Sequence, residues 1–267
     1  MTDPIPPDVR AEILAELDRI EAEHDVRVLF AVESGSRAWG FASPDSDFDV
    51  RFVYVHALDW YLSIDPRRDV IERPISDELD VSGWELRKAL GLAIKPNPVL
   101  AEWLRSPVLY RRDDAAAAGI AEIAAAAERG RPPLHHYHRL AQRQYERFVR
   151  DEKTVRLKKY FYVLRPAMAL HWMRTRAGEP VPMDLAALRD GVALPPAVED
   201  VLDDMLARKA VTREMGTTAR IPSVDAYVED ELAHAQAAAR DSRAEPGSLT
   251  DEANALFRRL VREAGPR

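Results

Sequence analysis

Apolar residues recur at helical spacing over residues 8–24, where Ile13, Leu17 and Ile20 fall on one stripe. Prolines precede this run and Asp8 is its candidate N-cap. Residues 26–32 (VRVLFAV) are a short β-rich run that predicts a buried strand. The stretch ESGSRAWGFASPDSD is rich in glycine and serine and predicts a turn with a short helix. Residues 48–55 (FDVRFVYV) alternate as a strand does. Segment 63–77 is polar, holds two prolines and predicts a loop or hairpin, and 78–82 predicts a further strand. Helical spacing resumes from Trp84 through Leu86, Leu90, Ala93 and Ile94, and stops before Pro96 and Pro98. Beyond residue 111 the pattern is helical throughout. Predicted helices cover 114–128 (mostly alanine, with little to anchor it), 134–150, 152–176, 195–211, 223–240 and 249–264, and proline-rich breaks fall at 132–133, 180–182 and 195–196. This pattern predicts an α+β protein, with an α/β domain over residues 1–110 followed by an all-helical domain over 111–267.

Composition narrows the function classes. Apolar residues make up 46% of the 267-residue chain and charged residues 31%, enough to build a core. The net charge of −7 excludes a globally basic nucleic-acid coat but not a local basic face. The absence of cysteine excludes disulfide scaffolds, zinc–thiolate and iron–sulfur sites and thiol catalysis. No apolar run approaches the length of a membrane span, and MTDPIPPDVR lacks the basic start and apolar stretch of a secretion signal. The expectation is a cytoplasmic protein without a membrane partner.

The most informative stretch is 33–51, with Glu33-Ser34-Gly35-Ser36-Arg37 followed by Ser43-Pro44-Asp45-Ser46-Asp47-Phe48-Asp49-Val50-Arg51. Strand alternation predicts Asp47 and Asp49 on one face and Phe48 and Val50 pointing into a core. Neighbouring carboxylates repel unless a cation sits between them, and oxygen-only ligands suit Mg²⁺ or Mn²⁺. A third carboxylate is expected from a neighbouring strand; Asp80 is the better candidate and Glu78 its competitor. Two such ions are the usual apparatus of phosphoryl-transfer enzymes. Gly35 and Ser36, leaving a strand for a helix, expose backbone N–H groups and a hydroxyl that suit phosphate. Ser46 and Arg37 are further candidates for nucleotide contacts, and Arg51 is a candidate charge partner of the carboxylates or a phosphate contact.

Gly-Ser, then about ten residues, then Asp-x-Asp, then a later strand Asp resembles the DNA polymerase β-type nucleotidyltransferase superfamily. The longer strings SGSRAWGF-SPDSDFDVRF, DVSGWELRKAL, KPNPVLAEWLRSPVLY and RLKKYFYVLRP resemble the YcgL/RlaP family of nucleotidyltransferases, over roughly residues 31–176. The resemblance implies a polymerase β-like catalytic domain, two metal ions held by Asp47, Asp49 and Asp80, an NTP substrate such as ATP near Gly35 and Ser36, and a link with RNA repair. Glu85 and Gly91 depart from the family pattern, where Asp and a bulkier residue are expected.

Residues 131–176 hold twelve Lys or Arg against three acids, a local balance of +9; the remainder, −7 less +9, is −16. This asymmetry predicts a face for phosphates. On the helix 152–176, Leu157, Tyr160, Phe161, Leu164, Met168, His171 and Trp172 form the apolar stripe, and Lys158, Tyr162 and Arg165 share another face. Lys158 and Tyr162, one turn apart, are candidates to hold a triphosphate. Pro166 is expected to kink or strain this helix. Lys88, Lys95 and Lys159 are candidate acceptor or phosphate contacts. The function expected is metal-dependent transfer of an NMP to a hydroxyl with pyrophosphate release, the acceptor being an RNA end in repair or tRNA end modification. Three alternatives stay open: a protein nucleotidyltransferase, a small-molecule nucleotidyltransferase (199–204 and 225–231 are acidic), and a non-catalytic nucleotide- or RNA-binding module.

Overall fold

The computed structural model describes residues 5–44, 46–74, 78–130, 133–211, 215–241 and 249–265. Asp45, in the glycine- and serine-rich stretch that predicts a turn with a short helix, lies outside them. The chain divides into two compact units that do not follow chain order: one comprises Met1–Ala38, Asp47–Arg131 and Pro246–Arg267, the other Trp39–Ser46 and Pro132–Glu245.

In the first unit, α1 (Pro7–His24) leads into β1 (Val26–Glu33), the single turn α2 (Gly35–Ala38), β2 (Phe48–His56) and the short α3 (Leu58–Tyr61). Next come β3 (Val70–Glu72), β4 (Leu79–Glu85), α4 (Leu86–Ala93), α5 (Pro98–Leu104), β5 (Leu109–Arg112) and α6 (Asp114–Gly130). The sheet runs β3-β4-β2-β1-β5, with β2 and β4 parallel and the other pairs antiparallel. Pro6, not Asp8, occupies the N-cap of α1, because Pro7 begins the helix and Asp8 falls in its first turn. Ile13, Leu17 and Ile20 are fully buried against Phe48, Val50, Phe52 and Tyr54, one face of β2. Val53 and Val55 on the opposite face pack with Leu86, Leu90, Ile120 and Leu260. Alternation therefore places Asp49 and Arg51 on the face of Val53 and Val55, at the beginning of the strand. Trp84 belongs to β4, so α4 starts two residues later than its apolar spacing predicts.

Two helices assigned from sequence to the second domain belong to the first unit: α6 and the last helix, Thr250–Ala264. The alanine-rich α6 is anchored, because its small side chains permit close approach. Ala116, Ala117, Ile120 and Ile123 are buried in one cluster with Leu256 and Leu260.

In the second unit, α7 (Leu134–Tyr145) runs into one turn of π-helix (Glu146–Arg150), then β6 (Thr154–Arg156) and the central α8 (Leu157–Thr175). Then follow α9 (Leu185–Gly191), α10 (Pro196–Lys209), β7 (Thr217–Ala219) and α11 (Pro222–Asp241). The final helix of the chain is α12 (Thr250–Ala264). β6 and β7 pair antiparallel, so this unit is helical with a small ribbon rather than all-helical. The apolar stripe expected on α8 is buried, as are Val163, Pro166, Ala167, Ala169 and Leu170. The segment Trp39–Ser46 belongs to this core. Phe41 stacks on Phe161 at 4.5 Å, and Leu185 N–H donates to the Trp39 carbonyl at 2.9 Å. Among the described residues, no helix is long and apolar enough to cross a membrane.

Candidate active site

Parallel pairing sets Asp49 of β2 opposite Asp80 of β4. One residue pair further along the ladder would put them on opposite faces, so this register is what brings the two carboxylates together. Arg51, two residues beyond Asp49 on the same face, reaches between them. Its Nη2 donates to Asp49 Oδ1 at 3.0 Å and Asp80 Oδ2 at 2.7 Å, and its Nη1 donates to the Asp80 carbonyl at 2.9 Å. The carboxyl of Asp49 is held above the usual range, first by burial and then by the charges of Asp80 and Asp47, with Arg51 opposing. Glu78 does not take this place; its carbonyl accepts Phe48 N–H at 2.7 Å at the start of the ladder.

Gly35 forms the wall behind Asp49. Its φ is +58°, and a Cβ there would lie 2.0 Å from Asp49 Oδ2. Only glycine permits this turn and this approach. Ser34 N–H donates to the Asp49 carbonyl at 2.8 Å, so the Gly-Ser turn and the carboxylate strand are tied at the backbone. Ser36 and Arg37 are half-buried in the same turn. The Arg37 guanidinium lies over the Phe48 ring at 3.8 Å, and its Nε donates to the Asp47 carbonyl at 3.3 Å.

The three-carboxylate cage expected from sequence differs from what is found. Among the described residues, no three of His, Cys, Asp and Glu gather as a metal site requires. Asp47 precedes β2 instead of lying on it, so the strand's alternation does not hold its side chain beside Asp49. The cation demanded by Asp49 and Asp80 is supplied by Arg51. Their oxygen-only chemistry fits a divalent ion at the place the guanidinium takes, provided Arg51 moves off.

Behind this pair lies an acid that sequence reasoning left without a defined role. Glu33 is fully buried; its Oε1 accepts Asp49 N–H at 3.0 Å and its Oε2 accepts the Tyr110 hydroxyl at 2.6 Å. Burial pushes its carboxyl from 4.5 up to about 7, against the pull of those two donors and of Arg37. Tyr110, on β5, escaped sequence reasoning altogether. The one available signal was Glu33 itself, an acid closing the apolar run 28–32 of β1.

The remaining candidates separate. Lys88 Nζ pairs with Asp69 at 3.0 Å, and Lys95 is exposed just after α4. Glu85 caps α4 by accepting Arg87 N–H at 2.8 Å and Lys88 N–H at 3.3 Å, which accounts for an acid there. A Cβ at Gly91 would meet nothing within 4 Å, so no bulk is required there. In the second unit, Ser46 is buried: its Oγ accepts Ser43 N–H at 2.9 Å and lies 3.4 Å from Lys209 Nζ, which also donates to Ser43 Oγ at 3.0 Å. That lock gives Ser46 a structural part in place of an open phosphate contact, and Lys209 was not visible from sequence. Arg165 is likewise buried, with its guanidinium over the Trp39 ring at 4.6 Å and Nη2 donating to the Met183 carbonyl at 3.0 Å. It is therefore a core residue, whereas Lys158 and Lys159 are half-buried and Tyr162 is exposed.

Comparison with known proteins bears on this geometry. The chain is 40% identical over 255 residues, 96% of its own length and 97% of the relative's, to the Bacillus subtilis (strain 168) protein described as "Uncharacterized protein YcgL". A crystal structure of a nucleotidyltransferase-like protein from Exiguobacterium sibiricum 255-15 aligns over 94% of this chain and 80% of that one, at 11% identity and a TM-score of 0.28. Residues 9–259 match the model of the RlaP family, described as the RNA repair pathway DNA polymerase beta family. The chain belongs to that family of polymerase β-like nucleotidyltransferases.

Proposed function

We propose that the protein is a divalent-metal-dependent nucleotidyltransferase that moves a nucleoside monophosphate from an NTP to a hydroxyl at an RNA end. The observation that carries this reading is the in-register pair Asp49–Asp80, gathered round a positive charge and backed by the Gly35-Ser36 turn. The acceptor oxygen bonds to the α-phosphorus, the bond to the α–β bridging oxygen breaks, and pyrophosphate leaves with that electron pair. The hydroxyl proton passes to a nearby base or to solvent.

In this reading the in-register pair Asp49 and Asp80 holds divalent metal, and Arg51 is displaced to another anion. Bound divalent ions neutralise charge at the reacting phosphate and lower the pKa of the acceptor hydroxyl. Gly35 and Ser36 receive the phosphates, and Arg37 adds positive charge beside them. Glu33 fixes the Asp49 backbone. Rate acceleration comes from positioning and charge neutralisation rather than from covalent chemistry. The RNA acceptor is supported by the family description and by the basic balance of residues 131–176.

One observation favours a second reading. Arg51 already neutralises the carboxylate pair, as it would in a non-catalytic nucleotide- or RNA-binding module. Incubation with each α-labelled NTP, Mg²⁺ and total cellular RNA separates these cases when RNA and protein products are resolved. Label in RNA is expected. Label in protein alone overturns the acceptor assignment, and no label in any product returns the non-catalytic reading.

A further inference from the structure

The carboxylate of Asp49 faces two ways. Its Oδ1 accepts Arg51 Nη2 at 3.0 Å, and a Cβ built on Gly35 would stand 2.0 Å from its Oδ2. Arg51 and the Gly35-Ser36 turn therefore lie on either side of one carboxylate, within a side chain's reach of each other. The guanidinium is seated on Asp49 Oδ1, on Asp80 Oδ2 at 2.7 Å, and on the carbonyls of Asp80 and Val50 at 2.9 and 3.1 Å. The Arg51 side chain is 18% exposed, against 28% for Asp49 and 30% for Asp80, so both carboxylates are open to an ion arriving from solvent.

Two carboxylates and one guanidinium sum to −1. A divalent ion added to them makes +1 and sets two cations against the same oxygens, which repel each other. Arg51 then has to leave those oxygens. Leaving its acceptors in a partly buried place is unfavourable unless another anion takes the guanidinium. The apparent affinity for metal is reduced by the fraction of molecules in which Arg51 stands aside. An arginine fork matches phosphate oxygens as it matches carboxylate oxygens. In the transferase reading the phosphates lie at the Gly35-Ser36 turn, on the far side of the same carboxylate.

We propose that Arg51 couples divalent-metal binding to nucleotide binding: it occupies the Asp49–Asp80 pair in the free protein and passes to the triphosphate when metal and NTP enter together. This rests on the transferase reading and adds how its site fills. By linkage each ligand raises the affinity of the other by the same factor, and Arg51 is the group through which that factor acts. The test pairs two titrations on wild type, Arg51→Gln and Arg51→Lys, with melting curves confirming that each folds. Mn²⁺ binding to the nucleotide-free protein is read by electron paramagnetic resonance of the unbound ion. Binding of each α,β-methylene nucleoside triphosphate in saturating Mn²⁺ is read by calorimetry.

Removing a competitor and removing a phosphate ligand act in opposite directions. In Arg51→Gln, Mn²⁺ should bind about tenfold more tightly and the analogue about tenfold more weakly, the size expected for one charge-assisted contact. Arg51→Lys keeps the charge and loses the fork, so both shifts should keep these signs at smaller size; it carries the test should the glutamine variant unfold. Weaker binding of both ligands reduces Arg51 to a brace and overturns the proposal, as does unchanged Mn²⁺ affinity, unchanged analogue affinity, or a wild type that binds neither. Opposite shifts, in a protein whose wild type transfers no NMP to any product, leave the coupling standing and refute the transferase reading. NMP transfer by the wild type with both affinities weakened in the variants refutes the coupling and leaves that reading standing.

Discussion

Glu33→Gln should change how stability depends on pH, and the structure sets both sign and size. Glu33 is 0% exposed, and its carboxyl is raised from 4.5 to about 7, chiefly by burial. Between those values the folded protein keeps a proton that the unfolded chain has released. Stability therefore falls as pH rises from about 4.5 to about 7 and is flat above, as far as this group is concerned. At about 1.36 kcal/mol per pH unit, the rise from 4.5 to about 7 corresponds to about 3 kcal/mol over that window. Glutamine keeps an oxygen for Asp49 N–H, and the Tyr110 hydroxyl can turn to accept from the amide. The variant has no ionisation to suppress. Its stability relative to wild type should rise by about 3 kcal/mol across the window. Urea unfolding followed by tryptophan fluorescence at a series of pH values measures this, because titrating groups that do not interact with Glu33 cancel in the difference. Parallel curves for the two proteins would refute the assignment of Glu33 as a buried, proton-holding acid.

Gly35→Ala should cost about 1–2 kcal/mol for the left-handed backbone and push the Asp49 carboxylate by about 1 Å or more, because the new Cβ would stand only 2.0 Å from Asp49 Oδ2. A displacement of that order lowers turnover about 100-fold; a variant with wild-type kcat and melting temperature contradicts the packing argument. Arg51→Gln leaves Asp49 and Asp80 facing each other without a cation. It should lose about 1–2 kcal/mol in metal-free buffer, the figure being reduced for their partial exposure. Mn²⁺ should then raise its melting temperature by more than it raises that of wild type; an equal or smaller shift counts against a shared cation site. Lys209→Met should lower stability by about 1–3 kcal/mol by removing the charged donor that the buried Ser43 and Ser46 hydroxyls share, and an unchanged unfolding midpoint would show those contacts to be idle.

The N-terminal half was largely legible in the sequence, for a physical reason. Ile13, Leu17 and Ile20 report a helix facing one layer, and FDVRFVYV reports a strand with two buried faces, both through local spacing. The same two-residue period that drew attention to Asp47 and Asp49 also puts Arg51 beside Asp49, so the bridging guanidinium was implicit in it. Asp80 is distinguished from Glu78 by its place in a strand-like run, and the parallel register sets it opposite Asp49. What could not be read depends on distant chain. β5 is four residues long with no alternation, yet its Tyr110 completes the setting of Glu33. The ribbon joins Thr154–Arg156 to Thr217–Ala219, two runs too short to show a pattern. Trp39–Ser46 carries no local sign that it belongs with α8 and α10. Arg165 shares the helical spacing of Lys158 and Tyr162, but Trp39 and the Met183 carbonyl draw it into the core.

The central claim is that the Asp49–Asp80 pair supports nucleotidyl transfer, and single-turnover NMP transfer in the presence of Mg²⁺ tests it most directly. Asp49→Asn and Asp80→Asn should each fold, as judged by their melting curves, and each should reduce the transfer rate by at least about 100-fold. Turnover at the wild-type rate in either folded variant would contradict the account.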